Sequence, residues 1–186
     1  QYLVLFDIDG TLLHSGGCGR AATHLALIDI FGTTGTLDTV SFAGKTDWQI
    51  LYEILPPAGI SREQIDAQLH QHNRVVSECL THIIDDFPVM PCVGAPEVVA
   101  ALRADSRVVL GLVTGNMQAI VPIKLRTAGF DPADFVVGAY GSEGWERAML
   151  PPIALERAKS HTGQDFAPEK IVVIGCLLYT SPSPRD

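Results

Sequence analysis

The stretch that indicates the fold is Leu3-Val4-Leu5-Phe6-Asp7-Ile8-Asp9-Gly10-Thr11. It is an apolar run that ends abruptly in two carboxylates and a Gly-Thr pair. The run is too short for a helix, so it predicts a buried parallel strand that delivers acidic side chains to its carboxyl end. Open α/β sheets bind ligands at that end of their strands. We therefore interpret Asp7 and Asp9 as functional residues.

A turn that simply closes the strand is the competing interpretation, because Asp and Gly are both common in turns. A turn needs only one Asp, however. A second carboxylate close by adds repulsion unless a cation lies between the two. The pair therefore favours reaction chemistry over a plain turn.

Composition bounds the class of protein. The chain has 186 residues, of which 47% are hydrophobic, enough for one domain with an insertion or for two small domains. Its formal net charge is −8, and no cluster of Lys and Arg supplies the counterion release that nucleic-acid binding needs. We expect no nucleic-acid partner, and an anionic substrate must meet locally placed cations.

The cysteines and the chain ends carry less information. Cys18, Cys79, Cys92 and Cys176 lack C-x-x-C spacing, which favours reduced thiols and a cytoplasmic location. We find no signal peptide and no apolar run long enough for a membrane helix, so no membrane partner is expected. Residue 1 is Gln, and we expect the native start to precede it. Oligomeric state cannot be read from the sequence.

The middle of the chain is predicted to be helical. Expected helices span residues 20–31, 48–55 and 61–85, the last opened by a Ser61/Gln64 capping box. Residues 16–87 therefore form an all-α insertion, or cap, in an α/β core built from residues 1–15 and 88–175.

The second half alternates strands and helices. Strands are expected at 107–113, 135–138 and 170–175, with helices at 94–104, from Gly115 to about Gly129, and at 151–162. Such alternation predicts a parallel sheet with right-handed crossovers, that is, a Rossmann-like core.

Thr114 follows the second buried strand, in Val113-Thr114-Gly115-Asn116. A hydroxyl and backbone N–H groups at the start of a helix are a ready seat for phosphate. An ordinary N-cap is an equally good explanation of these residues alone.

The opening stretch resembles the first motif of the haloacid dehalogenase superfamily, in its hydrophobic lead, both acids and the Gly-Thr pair. The resemblance implies a Rossmann-like core with an inserted helical cap. It makes Asp7 a nucleophile that forms an aspartyl-phosphate, Asp9 the general acid/base, and both of them Mg²⁺ ligands. Dehalogenases of the superfamily lack the second acid, because a halide needs no proton on leaving, so Asp9 favours a phosphatase.

The same resemblance assigns the later motifs. Thr114 would hydrogen-bond the phosphoryl oxygens. The segment from Arg147 to Pro152 resembles the Arg-x-x-Leu-x-Pro pattern of phosphoglycolate-phosphatase-like members, which makes Arg147 the charge-neutralising residue. Lys124 is the rival, but we predict it to be a solvated lysine on the helix after Thr114.

Further substrate-binding residues are expected around the two motifs and in the cap. Lys45, in Gly44-Lys45-Thr46-Asp47, resembles the cap loop that closes over the active site, although a solvent loop before a capped helix explains it equally well. The residues expected to contact substrate are Gly10, Thr11, Lys45, Gly115 and Asn116.

These assignments predict a Mg²⁺-dependent phosphatase acting on a small phosphorylated metabolite, with phosphoglycolate the leading candidate by analogy. Two alternatives stay open. One is a phosphomutase of the β-phosphoglucomutase type, which shares Asp7, Asp9 and the cap. The other is a non-catalytic fragment or binding module.

The end of the chain departs from the family pattern. After Gly175 the family has an Asp that completes the metal site, whereas this chain has Cys176, and a thiol is a poor Mg²⁺ ligand. Residues 176–186 resemble translated sequencing-adapter DNA, so we expect the authentic protein to diverge after Gly175. We further expect impaired metal affinity and turnover, and poorly covered apolar side chains in the last strand.

Overall fold

The computed structural model describes residues 1–176, and its centre is a four-stranded parallel sheet in the order β5-β4-β1-β6. A separate two-stranded antiparallel ribbon pairs β2 with β3. The strands are β1 (Tyr2–Phe6), β2 (Leu13–His14), β3 (Met90–Pro91), β4 (Val108–Thr114), β5 (Val137–Tyr140) and β6 (Ile171–Ile174). The predicted α/β class with a Rossmann-like parallel sheet is confirmed.

Strand β1 lies in the middle of the sheet and is apolar on both faces. Val4 and Phe6 pack into one core with residues such as Leu125 of the following helices, and Leu3 and Leu5 pack into a second core on the opposite face. Alternate side chains of a strand point to opposite faces, so a strand covered on both sides reads as a continuous apolar run. This is why the opening stretch contains no polar residue before Asp7.

Six α-helices surround the sheet or pack beside it in the described chain. They are α1 (Cys18–Phe31), α2 (Asp47–Ile54), α3 (Arg62–Ile83), α4 (Ala95–Arg103), α5 (Val121–Thr127) and α6 (Leu150–Thr162). Short 3₁₀ turns cover Leu37–Thr39, Pro56–Ala58, Ile84–Asp86, Gln118–Ile120, Pro132–Asp134, Arg147–Met149 and Pro168–Lys170. The capping box at the start of α3 is present: the Gln64 N–H donates to Ser61 Oγ, and Ser61 N–H donates to Gln64 Oε1.

Between His14 and Met90 the described chain holds helices and no strand, as the sequence predicts. Helix α1 packs along α3, and their shared core also takes in Met117 and Ile120 from the segment after β4. We keep the division into a core and a helical cap at residues 16–87 as a proposal.

Two predictions about local structure need correction. The helix expected to open at Gly115 begins only at Val121, after a turn and the 3₁₀ segment at Gln118–Ile120. Met117 has an extended backbone, with φ −64° and ψ 147°, so a helix cannot run through it. Its N–H donates to the Asp47 carboxylate at 2.6 Å, a contact from a distant part of the chain. The β2–β3 ribbon was also not predicted, because two-residue strands leave no periodic signal.

The last strand forms an edge of the sheet within residues 1–176. Val172 and Val173 are 41% and 39% exposed, which agrees with the expectation of poorly covered apolar side chains there. Residues 177–186 lie outside the described residues, so the hypothesis about their origin remains a prediction. In the described chain, none of the helices combines the length and apolar character that crossing a bilayer requires.

Candidate active site

A cavity of about 370 Å³ opens at the carboxyl ends of β1, β4 and β6, and its walls continue into α1 and the loop before α2. Seven of the predicted site residues line it: Asp7, Asp9, Lys45, Thr114, Gly115, Asn116 and Arg147. The carboxyl ends of parallel strands meet at one edge of a sheet, which is why residues so far apart in sequence converge here.

Asp7 is a buried acid of the cavity, with 6% of its surface exposed. The N–H of Ile8 donates to its Oδ1 at 2.8 Å, and the guanidinium of Arg147 pairs with its Oδ2. Burial raises the pKa of Asp7 above its usual value, because the charge of Arg147 and these hydrogen bonds offset only part of the desolvation. Asp7 and Arg147 thus form a fixed carboxylate–guanidinium pair.

Asp9 is held by a different cation. Lys124 Nζ lies 3.0 Å from both carboxylate oxygens, and Asn116 Nδ2 donates to Oδ2 at 2.7 Å. Burial alone would raise the pKa of Asp9, but the ammonium of Lys124 and the hydrogen bond from Asn116 outweigh it and lower the pKa below its usual value. The two acids of the opening motif therefore differ in environment.

Lys124 is not the solvated lysine that the sequence predicts. It is 3% exposed and pairs with Asp9 while its ammonium also donates to Asn116 Oδ1 at 2.7 Å. The sequence does contain a signal that Lys124 is buried. Val121, three residues before Lys124, and Leu125, directly after it, are apolar and buried on the same face of α5. Each acid of the first motif thus has its own cation.

Thr114 and Asn116 line the cavity together with the two acids. The backbone N–H and Nδ2 of Asn116 both donate to Thr114 Oγ1, at 3.2 and 2.7 Å. Thr114 is fully buried, and its hydroxyl proton is left to donate, since a hydroxyl carries one donor beside its acceptor lone pairs. The expected phosphate seat is thus a turn stabilised by its own side chains, in place of a helix N-terminus.

Gly10 and Thr11 occupy the turn after β1 and are not among the residues that line the cavity. Gly10 has φ +76°, a left-handed conformation that favours glycine, and its N–H donates to the Leu13 carbonyl at 2.8 Å. The buried Thr11 hydroxyl has no hydrogen-bond partner in the described chain. In this geometry their contribution is to turn the chain away from the strand end.

The loop that carries Lys45 is not a solvent loop, because its backbone meets the turn after β4. The Asp47 N–H donates to the Gly115 carbonyl at 2.9 Å, and Met117 donates back to Asp47 Oδ2. Burial raises the pKa of Asp47 to about 6, against the lowering effect of the Met117 hydrogen bond. Sequence reasoning missed this contact, since Asp47 at the start of α2 reads as an ordinary first-turn acid.

Gly115 is required by the closeness of that loop. A Cβ added at Gly115 would lie 2.0 Å from the Lys45 carbonyl oxygen, a distance that no side chain can occupy. The Lys45 side chain itself pairs with Glu53 of α2, so its charge is neutralised by a neighbouring helix. Glu53 therefore competes with substrate for the contact expected of Lys45.

The donors at the strand ends suit Mg²⁺ in part. Asp7 offers a carboxylate, and the backbone carbonyl of Asp9 faces the cavity edge, where Cys176 Sγ lies 3.4 Å from it. Within residues 1–176 no three His, Cys, Asp or Glu side chains gather as a metal cage. Mg²⁺ is commonly held by one or two carboxylates plus substrate phosphate and water, so Asp7 and Asp9 fit it and the Cys176 thiol does not.

Comparisons with known proteins agree with this geometry. The sequence model of the haloacid dehalogenase-like hydrolases matches residues 3–175. No match is found among curated proteins.

Several solved structures share the fold at low identity. CbbY from Rhodobacter sphaeroides in complex with phosphate is 17% identical with TM-score 0.63, over 92% of this chain and 76% of that one. A hydrolase from Pseudomonas syringae is 21% identical with TM-score 0.63, over 94% and 76%. A predicted phosphoglycolate phosphatase from Haemophilus somnus is 19% identical with TM-score 0.59, over 94% and 76%. Because the family match spans nearly all of the described residues, and the site stands where that family's first motif predicts it, the chain belongs to the haloacid dehalogenase-like hydrolases.

Proposed function

We propose that this hydrolase is a Mg²⁺-dependent phosphatase that acts on a small phosphate monoester, with phosphoglycolate as the leading candidate. The observation that carries the proposal is the buried Asp7 carboxylate in the cavity, with one oxygen held by a backbone N–H and the other by Arg147. A positioned carboxylate is a competent nucleophile toward phosphorus, and a guanidinium matches the geometry of phosphate oxygens.

In the first step, a carboxylate oxygen of Asp7 attacks phosphorus, the ester P–O bond breaks, and an aspartyl-phosphate forms. Arg147 offsets the negative charge on the nucleophile and on the transferring phosphoryl group. Thr114 donates its hydroxyl proton to a phosphoryl oxygen. Two hydrogen bonds from Asn116 to Thr114 Oγ1 orient this hydroxyl. Splitting the hydrolysis in two replaces one difficult displacement by two easier ones.

Asp9 moves the protons of both steps. It protonates the leaving alcohol oxygen and then accepts a proton from the water that attacks the aspartyl-phosphate, which releases phosphate and regenerates Asp7. Lys124 and Asn116 favour the ionised form of Asp9, which suits its role as base in the second step. The negative charge of an entering phosphate opposes that effect and favours the protonated form needed first.

Mg²⁺ would be held by the Asp7 carboxylate and by Asp9. Both oxygens of the Asp9 carboxylate already contact Lys124, so the backbone carbonyl of Asp9 is the oxygen open to the metal. When bound, Mg²⁺ neutralises charge on the phosphate so that it can approach a carboxylate. The sulfur at Cys176 is a weak partner for this ion, which supports low metal affinity in this chain.

The expected partner is a small phosphorylated metabolite in the cytoplasm. The net charge of −8 and the small cavity support this class over nucleic acid or a membrane surface. CbbY, which shares the fold, was solved with phosphate and, as a variant, with xylulose-(1,5)bisphosphate.

Substitution of the nucleophile tests the proposal. We expect Asp7→Asn to lower phosphate release from phosphoglycolate, in the presence of Mg²⁺, at least about 1,000-fold, because the amide cannot form the aspartyl-phosphate. Asp85→Asn, which removes an exposed carboxylate outside the cavity, should leave the rate unchanged. Equal rates for Asp7→Asn and the parent protein would overturn the proposal.

Product analysis separates the alternatives. A phosphomutase would convert a sugar monophosphate into its isomer without net phosphate release, and the phosphatase would release phosphate. The non-catalytic alternative draws on Cys176, and it predicts that no phosphate ester is turned over at any Mg²⁺ concentration.

A further inference from the structure

Four cations line the cavity, and three of them are neutralised by carboxylates. Arg147 pairs with Asp7, Lys124 pairs with Asp9, and Lys45 pairs with Glu53 of α2. The fourth, Arg20 in the first turns of α1, has no carboxylate partner within residues 1–176. Its positive charge is therefore the one that the described protein leaves uncompensated at this cavity.

Arg20 is nevertheless held in place. Its guanidinium donates to the backbone carbonyls of Leu37, at 2.6 Å, and Val40, and it lies over the ring of Phe42, 4.4 Å from the ring centroid. Carbonyl oxygens and an aromatic face restrain a guanidinium without cancelling its charge. Of its five N–H donors, these contacts use two, so three remain.

An uncompensated guanidinium that is already held in place beside a cavity is a prepared anion site, because the ordering cost is met before the ligand arrives. The phosphoryl group is already provided with Arg147, Thr114 and the metal ligands. Phe42, which supports Arg20, belongs to the loop before α2 and also lines the cavity. An anion bound at Arg20 would therefore be a second group of the same substrate, and every group of a phosphate monoester other than the phosphate belongs to its leaving alcohol.

We propose that Arg20 determines substrate choice by binding a second anionic group, a carboxylate or a second phosphate, on the substrate's leaving-group side. The proposal rests on the phosphatase function proposed above. It assigns this contact to Arg20 and not to Lys45, the cap-loop cation expected to contact substrate, because Lys45 is already paired with Glu53. Substrates whose leaving group is uncharged should then be poor ligands.

Matched pairs of substrates test this proposal on the full-length protein. Phosphoglycolate is compared with its carboxamide analogue, and propane-1,3-diol bisphosphate with the monophosphate. We expect Arg20→Gln to raise the KM for the two substrates that carry a second anionic group about 10- to 100-fold with little change in kcat. The KM for the carboxamide and for the monophosphate should change by less than about twofold, and Arg20→Lys should restore part of the preference. The substrate pair that shows the larger effect identifies carboxylate or phosphate as the second group.

Arg126→Gln is the matched control, since Arg126 is exposed on α5, outside the cavity, and carries the same charge. An equal loss for charged and uncharged substrates in Arg20→Gln would overturn the proposal, as would a parent protein that does not prefer the charged member of either pair.

Measuring binding by calorimetry separates a failure of the phosphatase function from a failure of the role proposed for Arg20. If no ester is hydrolysed, the phosphatase function fails, but the Arg20 proposal is still decided by affinity. The parent must bind phosphoglycolate at least about tenfold more tightly than the carboxamide, and Arg20→Gln must remove that difference. Equal affinities in the parent protein would reject the role of Arg20 independently of turnover.

Discussion

Lys124 is buried because it pairs with a carboxylate that is distant in the sequence. Its ammonium is 115 positions from Asp9 in sequence, yet it lies 3.0 Å from both oxygens of that carboxylate. A lysine that is 3% exposed is rare unless it is paired, so the contact explains its burial. The pairing of Lys124 with Asp9, and of Arg147 with Asp7, gives each acid of the motif a distinct electrostatic setting.

We expect Lys124 and Asp9 to be energetically coupled, and a double-mutant cycle can check this. Lys124→Met leaves Asp9 without its cation, and we expect the free energy of unfolding to fall by about 1–3 kcal/mol, less than for a fully buried pair because Asp9 is partly exposed. Adding Asp9→Asn should recover at least about 1 kcal/mol, measured by urea denaturation. Arg126→Met serves as the control with no expected effect. Strictly additive effects of the two substitutions would show that the pair is not coupled.

At the scale of elements, local patterns predict most of the secondary structure. The boundaries expected for α3 and for β1 agree closely with the structure, because a capping box and an apolar run act within a few residues. The predicted start of α5 is six residues too early. The chain first makes a turn after β4, in which the Met117 N–H donates to the Asp47 carboxylate of the insertion.

The turn after β4 and the loop of Lys45 approach each other closely, and the glycine at position 115 makes this approach possible. We expect Gly115→Ala to push the loop away from the strand ends, because the new Cβ would lie 2.0 Å from the Lys45 carbonyl oxygen. The free energy of unfolding should fall by about 1–3 kcal/mol, and phosphate release should fall at least about tenfold.

Gly144→Ala is the matched control for that prediction. Its added Cβ would find its nearest neighbour at 3.5 Å, an ordinary contact, so stability and activity should stay near the parent values. A Gly115→Ala protein with parental stability and activity would show that the loop can move freely.

At the scale of the whole molecule, stability should depend on pH through a buried histidine. His72 on α3 is 1% exposed, and neither ring nitrogen has a hydrogen-bond partner in the described residues. Burial lowers the pKa of His72 from 6.5 to about 4. Between these values the unfolded chain binds a proton that the folded chain does not, so the free energy of unfolding falls as the pH drops from about 6.5 toward 4.

We expect His72→Leu to reduce the difference in unfolding free energy between pH 7 and pH 4 by up to about 3 kcal/mol, because leucine has no proton to bind. Urea denaturation at pH 7, 5 and 4 measures the effect. His70→Leu, at an exposed position two residues earlier, should keep the parental pH dependence. The same pH dependence in His72→Leu as in the parent would contradict the prediction.

Sequence patterns alone predict the parallel sheet, the helices within residues 16–87 and the two acids at a strand end, because strands, caps and apolar periodicity are local properties. The tertiary structure alone decided which cation meets which acid, that Met117 binds Asp47, and that Arg20 keeps its charge uncompensated. These contacts join residues that are distant along the chain. Their electrostatic energies depend on separation and burial in space, which spacing along a sequence does not specify.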